Sequence, residues 1–427
     1  MRKSFDRVMN RRSFLGATAA VGGLLILHPG QTRGTAANSA VRIGLLGCGG
    51  RGTSVASGFI ENTGARVTAL ADLFQDQLDA AQQQFNEKLK ARGYAAIDPA
   101  QVFQGPHAIE EIIASKEVDA VLIATPPYFH PAHLDAVVAA GKHVYCEKPV
   151  AIDVPGAKRA IQTGQKAQGK LSLAVGFQIR KAPPYVELMR RIHGGALGKI
   201  GCGLAYYYCP KIARPEWPGT SPEVHRLRNW IYERQISGDI IVEQNIHVID
   251  VCNWALQAHP VKAVGSRSRK LRDDSGDCSD NFNVVFTYPG DVQISFGSTQ
   301  FDKHAFDASL RLFGTRGSCE AHYDSRMSIA GEDKWDAGLG ANQEGQFSAA
   351  GSFRGALDQA DPEKQKSFVE SITSGNFLND AAPGAESALS AMLGRNAAYS
   401  GKALTWEKLM KSKEVYDPKI DIMKMAL

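Results

Sequence analysis

Val41-Arg42-Ile43-Gly44-Leu45-Leu46 leads directly into Gly47-Cys48-Gly49-Gly50-Arg51-Gly52, an apolar run short enough for a buried strand followed by a GxGxxG turn. Val55 and Phe59, four residues apart, predict a helix that starts at the glycines and packs back on the sheet. In such a strand-turn-helix unit Gly47 permits the tight turn, Gly49 lets a pyrophosphate approach the backbone, and Gly52 lets helix and strand pack closely. Gly50 and Arg51 complete the loop, and the helix N-terminus offers N–H donors and positive dipole to phosphates. A chain with 42 glycines can produce this motif by chance, so its surroundings decide.

Those surroundings are consistent with a dinucleotide. A second strand, Arg66-Val67-Thr68-Ala69-Leu70, ends at Asp72, twenty residues after Gly52, where an acid accepts hydrogen bonds from the adenosine ribose. An acid there repels a 2'-phosphate, which favours NAD and leaves NADP as the alternative, with Arg51 placed to soften the preference. A polar helical stretch over 75–92 follows, then the buried strand Val118-Asp119-Ala120-Val121-Leu122-Ile123-Ala124 and the turn Thr125-Pro126-Pro127-Tyr128-Phe129-His130. Another helix-strand pair ends in His143-Val144-Tyr145-Cys146-Glu147-Lys148-Pro149. Ligands of a doubly wound sheet bind beyond the carboxyl ends of its strands, so Thr125, Pro126 and His130 on one turn, and Glu147 and Lys148 on the other, are candidate nicotinamide contacts.

Leu171-Ser172-Leu173-Ala174-Val175-Gly176 predicts the last strand of this domain. Beyond Arg180-Lys181-Ala182-Pro183-Pro184-Tyr185 a helix runs to about His193 and stops at Gly194-Gly195. Strand-like stretches at 201–208, 261–265, 282–288, 292–298 and 309–313 predict an open, mostly antiparallel sheet. The predicted loop 211–234 carries Arg214, Trp217, His225, Arg228, Asn229, Trp230 and Tyr232. Rings mixed with donors suit a sugar, and equally an ordinary packed loop with aromatic anchors. Residues 331–346 read as a flexible connection, and helices over 363–373 and 384–400 close the fold. The fold class is therefore α/β: an N-terminal Rossmann domain over 38–178 and a C-terminal α+β domain over 179–427, its last helices packing back on the first domain.

With 427 residues, 44% hydrophobic and 22% charged, the chain can bury a substantial core in two domains. A net charge of +5, with several basic residues near the N-terminus, gives no sign of a nucleic-acid surface. The seven cysteines form no CxxC pair and no zinc-like spacing with histidine, so no metal site is expected. They read as mostly buried thiols, with a Cys202–Cys209 bridge left open. Asn10-Arg11-Arg12-Ser13-Phe14-Leu15-Gly16, an uncharged run over 14–27 and the small residues Thr35-Ala36-Ala37 resemble a twin-arginine export signal over 1–37. That run falls short of the ~20 residues a membrane span needs. A periplasmic location is the expectation, with no stable span once the signal is removed. Because free nicotinamide dinucleotide is not expected there, the cofactor would travel inside the folded protein and be reoxidised in place.

A Rossmann strand ending in Glu147-Lys148-Pro149, preceded by Thr125-Pro126 and His130, resembles the GFO/IDH/MocA family of glucose-fructose oxidoreductase and inositol dehydrogenase. The segment Gly238-Asp239-Ile240-Ile241-Val242-Glu243-Gln244-Asn245-Ile246-His247-Val248-Ile249-Asp250 extends the likeness, which covers essentially all of the chain after the leader. The resemblance implies that Lys148 sits beside nicotinamide and the substrate hydroxyl, that the bond before Pro149 is cis, and that His247 accepts the proton. Glu243 stands where the family usually has aspartate, and Asn245 where glycine is common, so the substrate pocket departs from that of inositol dehydrogenase. Spacing of four residues predicts Glu243 and His247 on one helix face. Asp250 matches a further acid, and Arg180, Trp217 and Trp230 complete the substrate candidates. In the family the open sheet also forms oligomer contacts, so a homo-oligomer is implied.

The expected chemistry is oxidation of a carbinol carbon with His247 as base, Lys148 steadying the alkoxide and Glu243 supporting His247. An alternative gives the base role to Lys148. Three classes compete: a sugar, glycoside or polyol dehydrogenase; an NAD-dependent glycosidase working by transient oxidation and elimination; and a non-catalytic sugar binder. A lone helical histidine is more often structural, and a lone lysine a solvated charge. Their company with the glycine turn and the Glu-Lys-Pro strand end favours catalysis.

Overall fold

The computed structural model describes residues 40–212, 215–272, 276–302, 306–323, 326–339 and 357–425. The predicted leader, Arg214 and residues 340–346 of the predicted 331–346 connection lie outside the described residues, and the described part of that connection contains the short strand Trp335–Asp336. From Val41 onward the chain forms one compact unit.

Its first half alternates strands and helices: β1 (Arg42–Leu46), α1 (Gly50–Asn62), β2 (Arg66–Asp72), α2 (Gln75–Ala91), β3 (Val102–Gln104), α3 (Ala108–Ala114), β4 (Ala120–Ile123), α4 (His130–Ala139), β5 (His143–Cys146), α5 (Val154–Ala167) and β6 (Leu173–Val175). The six strands are parallel in the order β3-β2-β1-β4-β5-β6. Connection direction reverses between β1 and β4, which opens a crevice at the carboxyl ends of these two strands. Helices cover both faces, so β4 is buried at every position, as its unbroken Ala-Val-Leu-Ile run requires. Where α5 begins, the Asp153 side chain accepts from Gly156 N at 2.7 Å and Pro155 sits in the first turn, where no N–H is missed.

The second half contains α6 (Pro183–His193), β7 (Ile200–Pro210), α7 (Pro222–Arg228), α8 (Ile240–Glu243) and α9 (Ile246–Leu256). The strands β8 (Lys262–Ser268), β9 (Asn281–Tyr288), β10 (Val292–Asp302), β11 (Asp307–Gly314), β12 (Gly317–His322), β13 (Met327–Gly331) and β14 (Trp335–Asp336) follow, then α10 (Ala360–Ser374), α11 (Ala381–Ser400) and β15 (Leu404–Thr405). Nine strands lie in the order β14-β13-β12-β11-β7-β10-β9-β8-β15, antiparallel except where β10 runs parallel to β7. Alternation decides the faces: Ala205, Tyr207 and Cys209 of β7 are buried, while Leu204 points outward. α9 and α11 pack on the inner face. The outer face leaves Leu204, Val264 and Phe313 more than 40% exposed.

The closing helices return to the first domain. α10 lies on α1, where Gln365 Nε2 donates to Val55 O at 3.3 Å and Phe368 meets Phe59 and Tyr145 edge-on. Burying Phe368 contributes about 1.5–3 kcal/mol. Asn379 Nδ2, just before α11, donates to Gly164 O of α5 at 2.8 Å.

Three features differ from the sequence expectations. The loop 211–234 contains α7, started by Ser221, whose hydroxyl accepts from Val224 N at 3.3 Å, with Pro222 next. β3 and β12–β14 are short or weakly patterned strands that periodicity does not single out. A Cys202–Cys209 bridge does not form: all seven cysteines are thiols outside any disulfide. Both residues lie in the single strand β7, seven positions apart, so they point to opposite faces and are separated by roughly 23 Å at about 3.3 Å per residue.

Candidate active site

The glycine turn between β1 and α1 is shaped by contacts that only glycine permits. Gly47 has φ +96°, and a Cβ there would come within 2.8 Å of the Ala124 and Thr125 backbone. A Cβ on Gly52 would stand 2.1 Å from Gly47 O. At Gly49 and Gly50, by contrast, a Cβ would meet nothing within 4 Å, because these residues face a cavity of about 310 Å³. Asp72, Thr125 and Pro126 line the same cavity. Asp72 accepts from Cys48 N at 2.6 Å and from Phe74 N at 2.9 Å, and burial raises its pKa. An open backbone cradle at a helix N-terminus, with a carboxylate at the end of the second strand, fits a dinucleotide with its pyrophosphate on the glycines and its ribose at Asp72.

Three candidate cofactor contacts have protein partners. Arg51 pairs with Glu147 at 3.0 Å and with Asp361 of α10 at 3.1 Å. Glu147 is buried in that pair. His130 is also buried, with Nδ1 2.7 Å from Pro149 O and Nε2 2.7 Å from Thr125 O, and burial pushes its pKa down to about 4. It braces the Thr-Pro turn against the Lys-Pro turn, whose Lys148–Pro149 bond is cis.

At the carboxyl end of β5, Lys148 Nζ donates to Glu243 O at 2.6 Å and to Glu243 Oε1 at 2.9 Å. Glu243 and His247 are both buried. They do not share a continuous helix: α8 ends at Glu243, and Ile246 begins α9 after Gln244 and Asn245. Glu243 therefore holds Lys148 rather than supporting His247 along one helix face. His247 lies against the Phe177 ring at 6.2 Å between centroids, and its Nδ1 has no hydrogen-bond partner among the described residues. Burial, then the positive charges of Lys148, Arg51 and Lys364, holds its pKa well below 6.5, so the imidazole is neutral and able to accept a proton. Glu243 Oε2, both amide atoms of Asn245 and Gln178 Oε1 are likewise buried without partners among the described residues. Water or a polyhydroxylated molecule at these atoms would supply the missing hydrogen bonds.

Arg180 and Asp250 pair with each other at 2.8 Å, and Ser387 of α11 donates to Asp250 at 2.6 Å, an arrangement that ties α9 to α11. Trp217 and Trp230 line the cavity that contains Gly49 and Asp72. Sequence reasoning passed over Lys364 and Asp361 of α10. Lys364 is buried beside Asp380 at 3.9 Å and over the Tyr145 ring, and nothing but the amphipathic pattern of α10 foretells it. It also missed the pairing of Arg228 with Asp76, which joins two segments far apart in the chain. Among the described residues no cluster could hold a metal ion, and no helix is long and apolar enough to cross a membrane.

Residues 41–177 match the GFO/IDH/MocA oxidoreductase family with its NAD-binding Rossmann fold, and residues 185–320 match the GFO/IDH/MocA C-terminal domain. An inositol 2-dehydrogenase of Rhizobium meliloti strain 1021 is 23% identical over 291 residues, 68% of this chain and 78% of that protein. The crystal structure of scyllo-inositol dehydrogenase from Lactobacillus casei, with bound NAD(H) and scyllo-inositol, superposes with a TM-score of 0.65 at 18% identity, covering 86% of this chain and 99% of that one. Aldose-aldose oxidoreductase from Caulobacter crescentus, complexed with glycerol, gives the same score, identity and coverage. These structural likenesses show a shared fold.

Proposed function

The chain belongs to the GFO/IDH/MocA family of NAD-binding oxidoreductases, and from that premise we propose that it oxidises a carbinol carbon of a sugar, glycoside or polyol. The observation that carries this reading is the pairing of Lys148 with Glu243 at 2.9 Å in the same site as a neutral, buried His247 whose Nδ1 has no partner among the described residues. Bound NAD supplies the two-electron acceptance that turns a carbinol into a carbonyl. Gly49, Gly50 and Asp72 hold its phosphates and ribose. Glu243 fixes the Lys148 ammonium so that its remaining donor capacity steadies the substrate oxygen, and the neutral His247 accepts the hydroxyl proton. Asn245 and Gln178 offer hydrogen bonds to neighbouring hydroxyls. The inositol dehydrogenases named above support this substrate class.

The proposal extends to three properties of the whole protein. The twin-arginine pattern at Arg11-Arg12 supports export to the periplasm, testable by cell fractionation after Arg11→Lys with Arg12→Lys. Export supports a cofactor that stays bound between turnovers. The exposed Leu204, Val264 and Phe313 on the outer sheet face support a homo-oligomer, which light scattering measures.

The deciding experiment uses purified protein with no cofactor added. A denatured sample is assayed for released dinucleotide, and absorbance at the reduced-nicotinamide band is followed as inositols, sugars and glycosides are supplied. Reduction by one of these is the expected result. Aglycone release without accumulated reduced cofactor would replace dehydrogenation by the glycosidase route. Inertness toward every substrate even with NAD or NADP supplied would leave a binding protein.

A further inference from the structure

The cavity at the glycine turn has two walls of different origin. One is the Rossmann crevice itself, with Gly49, Asp72 and Phe74; the other comes from the second half of the chain and consists of Trp217, Leu227, Arg228 and Trp230. A dinucleotide crevice at a strand-order reversal is open on its outer side unless something is built over it. Here one side chain does most of the joining. The Arg228 guanidinium lies 3.9 Å from the Phe74 ring centroid and 4.3 Å from that of Trp217, so an aromatic ring from each half of the chain contacts the same cation. Its two terminal nitrogens reach both carboxylate oxygens of Asp76 in the first turn of α2, at 2.9 and 2.7 Å, a bidentate pair with its geometry fixed by two planar groups. The arginine side chain is only 12% exposed.

Two donors on this wall, Arg228 Nε and Trp217 Nε1, are buried with no acceptor among the described residues. Both belong to residues that line the cavity on the side of Asp72, where the ribose of an adenosine would sit. A nucleoside brings ring nitrogens and sugar oxygens, the acceptors that these donors lack. α7 is held from behind as well, because Arg226 Nη1 donates to Pro418 O at 3.0 Å, and Ile422 from the same C-terminal stretch reaches the cavity.

We propose that residues 215–230 form a cap over the adenosine end of the bound dinucleotide and that the Arg228–Asp76 pair is its latch, so that cofactor leaves when the latch opens. The inference rests on the NAD reading above and adds to it a physical cause for retention. The latch acts on the adenosine half alone, since Lys148 and His247 belong to the other end of the site.

The test loads the purified full chain with NADH and chases it with excess NAD, following the fluorescence of bound NADH. Arg228→Ala is expected to speed release at least about tenfold, the scale of losing an ion pair and two ring contacts together. Asp76→Asn, at a half-exposed position where misfolding is a lesser hazard, speeds release in the same direction. Arg228→Lys, which keeps the charge without the planar fork, falls between wild type and Arg228→Ala. Release of reduced nicotinamide mononucleotide, which has no adenosine, stays at the wild-type rate in every variant. Wild-type NADH release from both Arg228→Ala and Asp76→Asn overturns the latch while leaving the NAD reading intact, and equal acceleration of the mononucleotide overturns the adenosine assignment. A wild-type chain that binds no NADH removes the NAD reading and the latch with it.

Discussion

Replacing Lys148 by methionine separates stability from chemistry, because the residue it leaves behind is a buried carboxylate. Lys148 and Glu243 have side chains 13% and 9% exposed, with Nζ and Oε1 2.9 Å apart. At an effective dielectric of about 20 that separation corresponds to an attraction of about 6 kcal/mol before desolvation is subtracted. Removing one member of a buried pair costs roughly 3–5 kcal/mol, because the other charge stays behind uncompensated. Glu243 is a severe instance, since its Oε2 has no partner among the described residues even in the intact pair. Lys148→Met is therefore expected to lose about 3–5 kcal/mol in urea unfolding and at least about a hundredfold in turnover with a reactive polyol and saturating NAD. The double variant Lys148→Met with Glu243→Gln removes the stranded charge and regains most of the stability without regaining turnover. Two results would refute the reasoning. If Lys148→Met unfolds like wild type, the pair is not a desolvated one; if the double variant turns over like wild type, Lys148 plays no part in the reaction.

His247→Ala is expected to lower turnover at least about a hundredfold while dinucleotide content is retained, measured by steady-state kinetics and by assay of the denatured protein. With its pKa held well below 6.5 by burial and by Lys148, the imidazole stays neutral as pH falls through the ordinary histidine range, so the acid limb of kcat/KM that reports it lies below 6.5. A limb centred at 6.5 or above would assign that limb to another group. The same shift has a stability consequence: below 6.5 the unfolded chain takes up a proton at this position before the folded one does, so stability falls on acidification and His247→Phe flattens that slope in pH-dependent melts. Gly52→Ala forces a methyl toward Gly47 O, where the present spacing leaves 2.1 Å, and is expected to cost about 1–3 kcal/mol and weaken NAD binding, as calorimetry measures. Wild-type affinity and melting in that variant would remove the packing argument for the turn.

The order of strand, glycine turn, helix and acid-ended second strand was readable because each step is local. A run of buried-strand residues, a turn that admits no Cβ at Gly47 and Gly52, and Asp72 at a fixed distance along the chain depend on neighbours within a few turns of backbone. The strand-like stretches of the second half likewise foretold an open sheet, and α7 carried a start signal in Ser221-Pro222 that the aromatic residues around it obscured. Spacing of four residues did not reveal the partner of Glu243. Glu243 and His247 look like neighbours on a helix face, yet the helix is interrupted at Gln244-Asn245 and Glu243 pairs with Lys148, which is 95 residues away in sequence.

What the sequence by itself determined is the pair of domains and the dinucleotide turn, because these follow from short-range sterics and periodic burial. The tertiary structure alone decided which charges meet. Arg51 finds Glu147 and Asp361, Arg228 finds Asp76 between two rings, Arg180 finds Asp250, and Lys364 lies buried near His247. Ion pairing has no periodicity. A charged side chain that must leave water takes whichever opposite charge the folded backbone brings within about 3–4 Å, and that choice is made by packing between segments far apart in the chain.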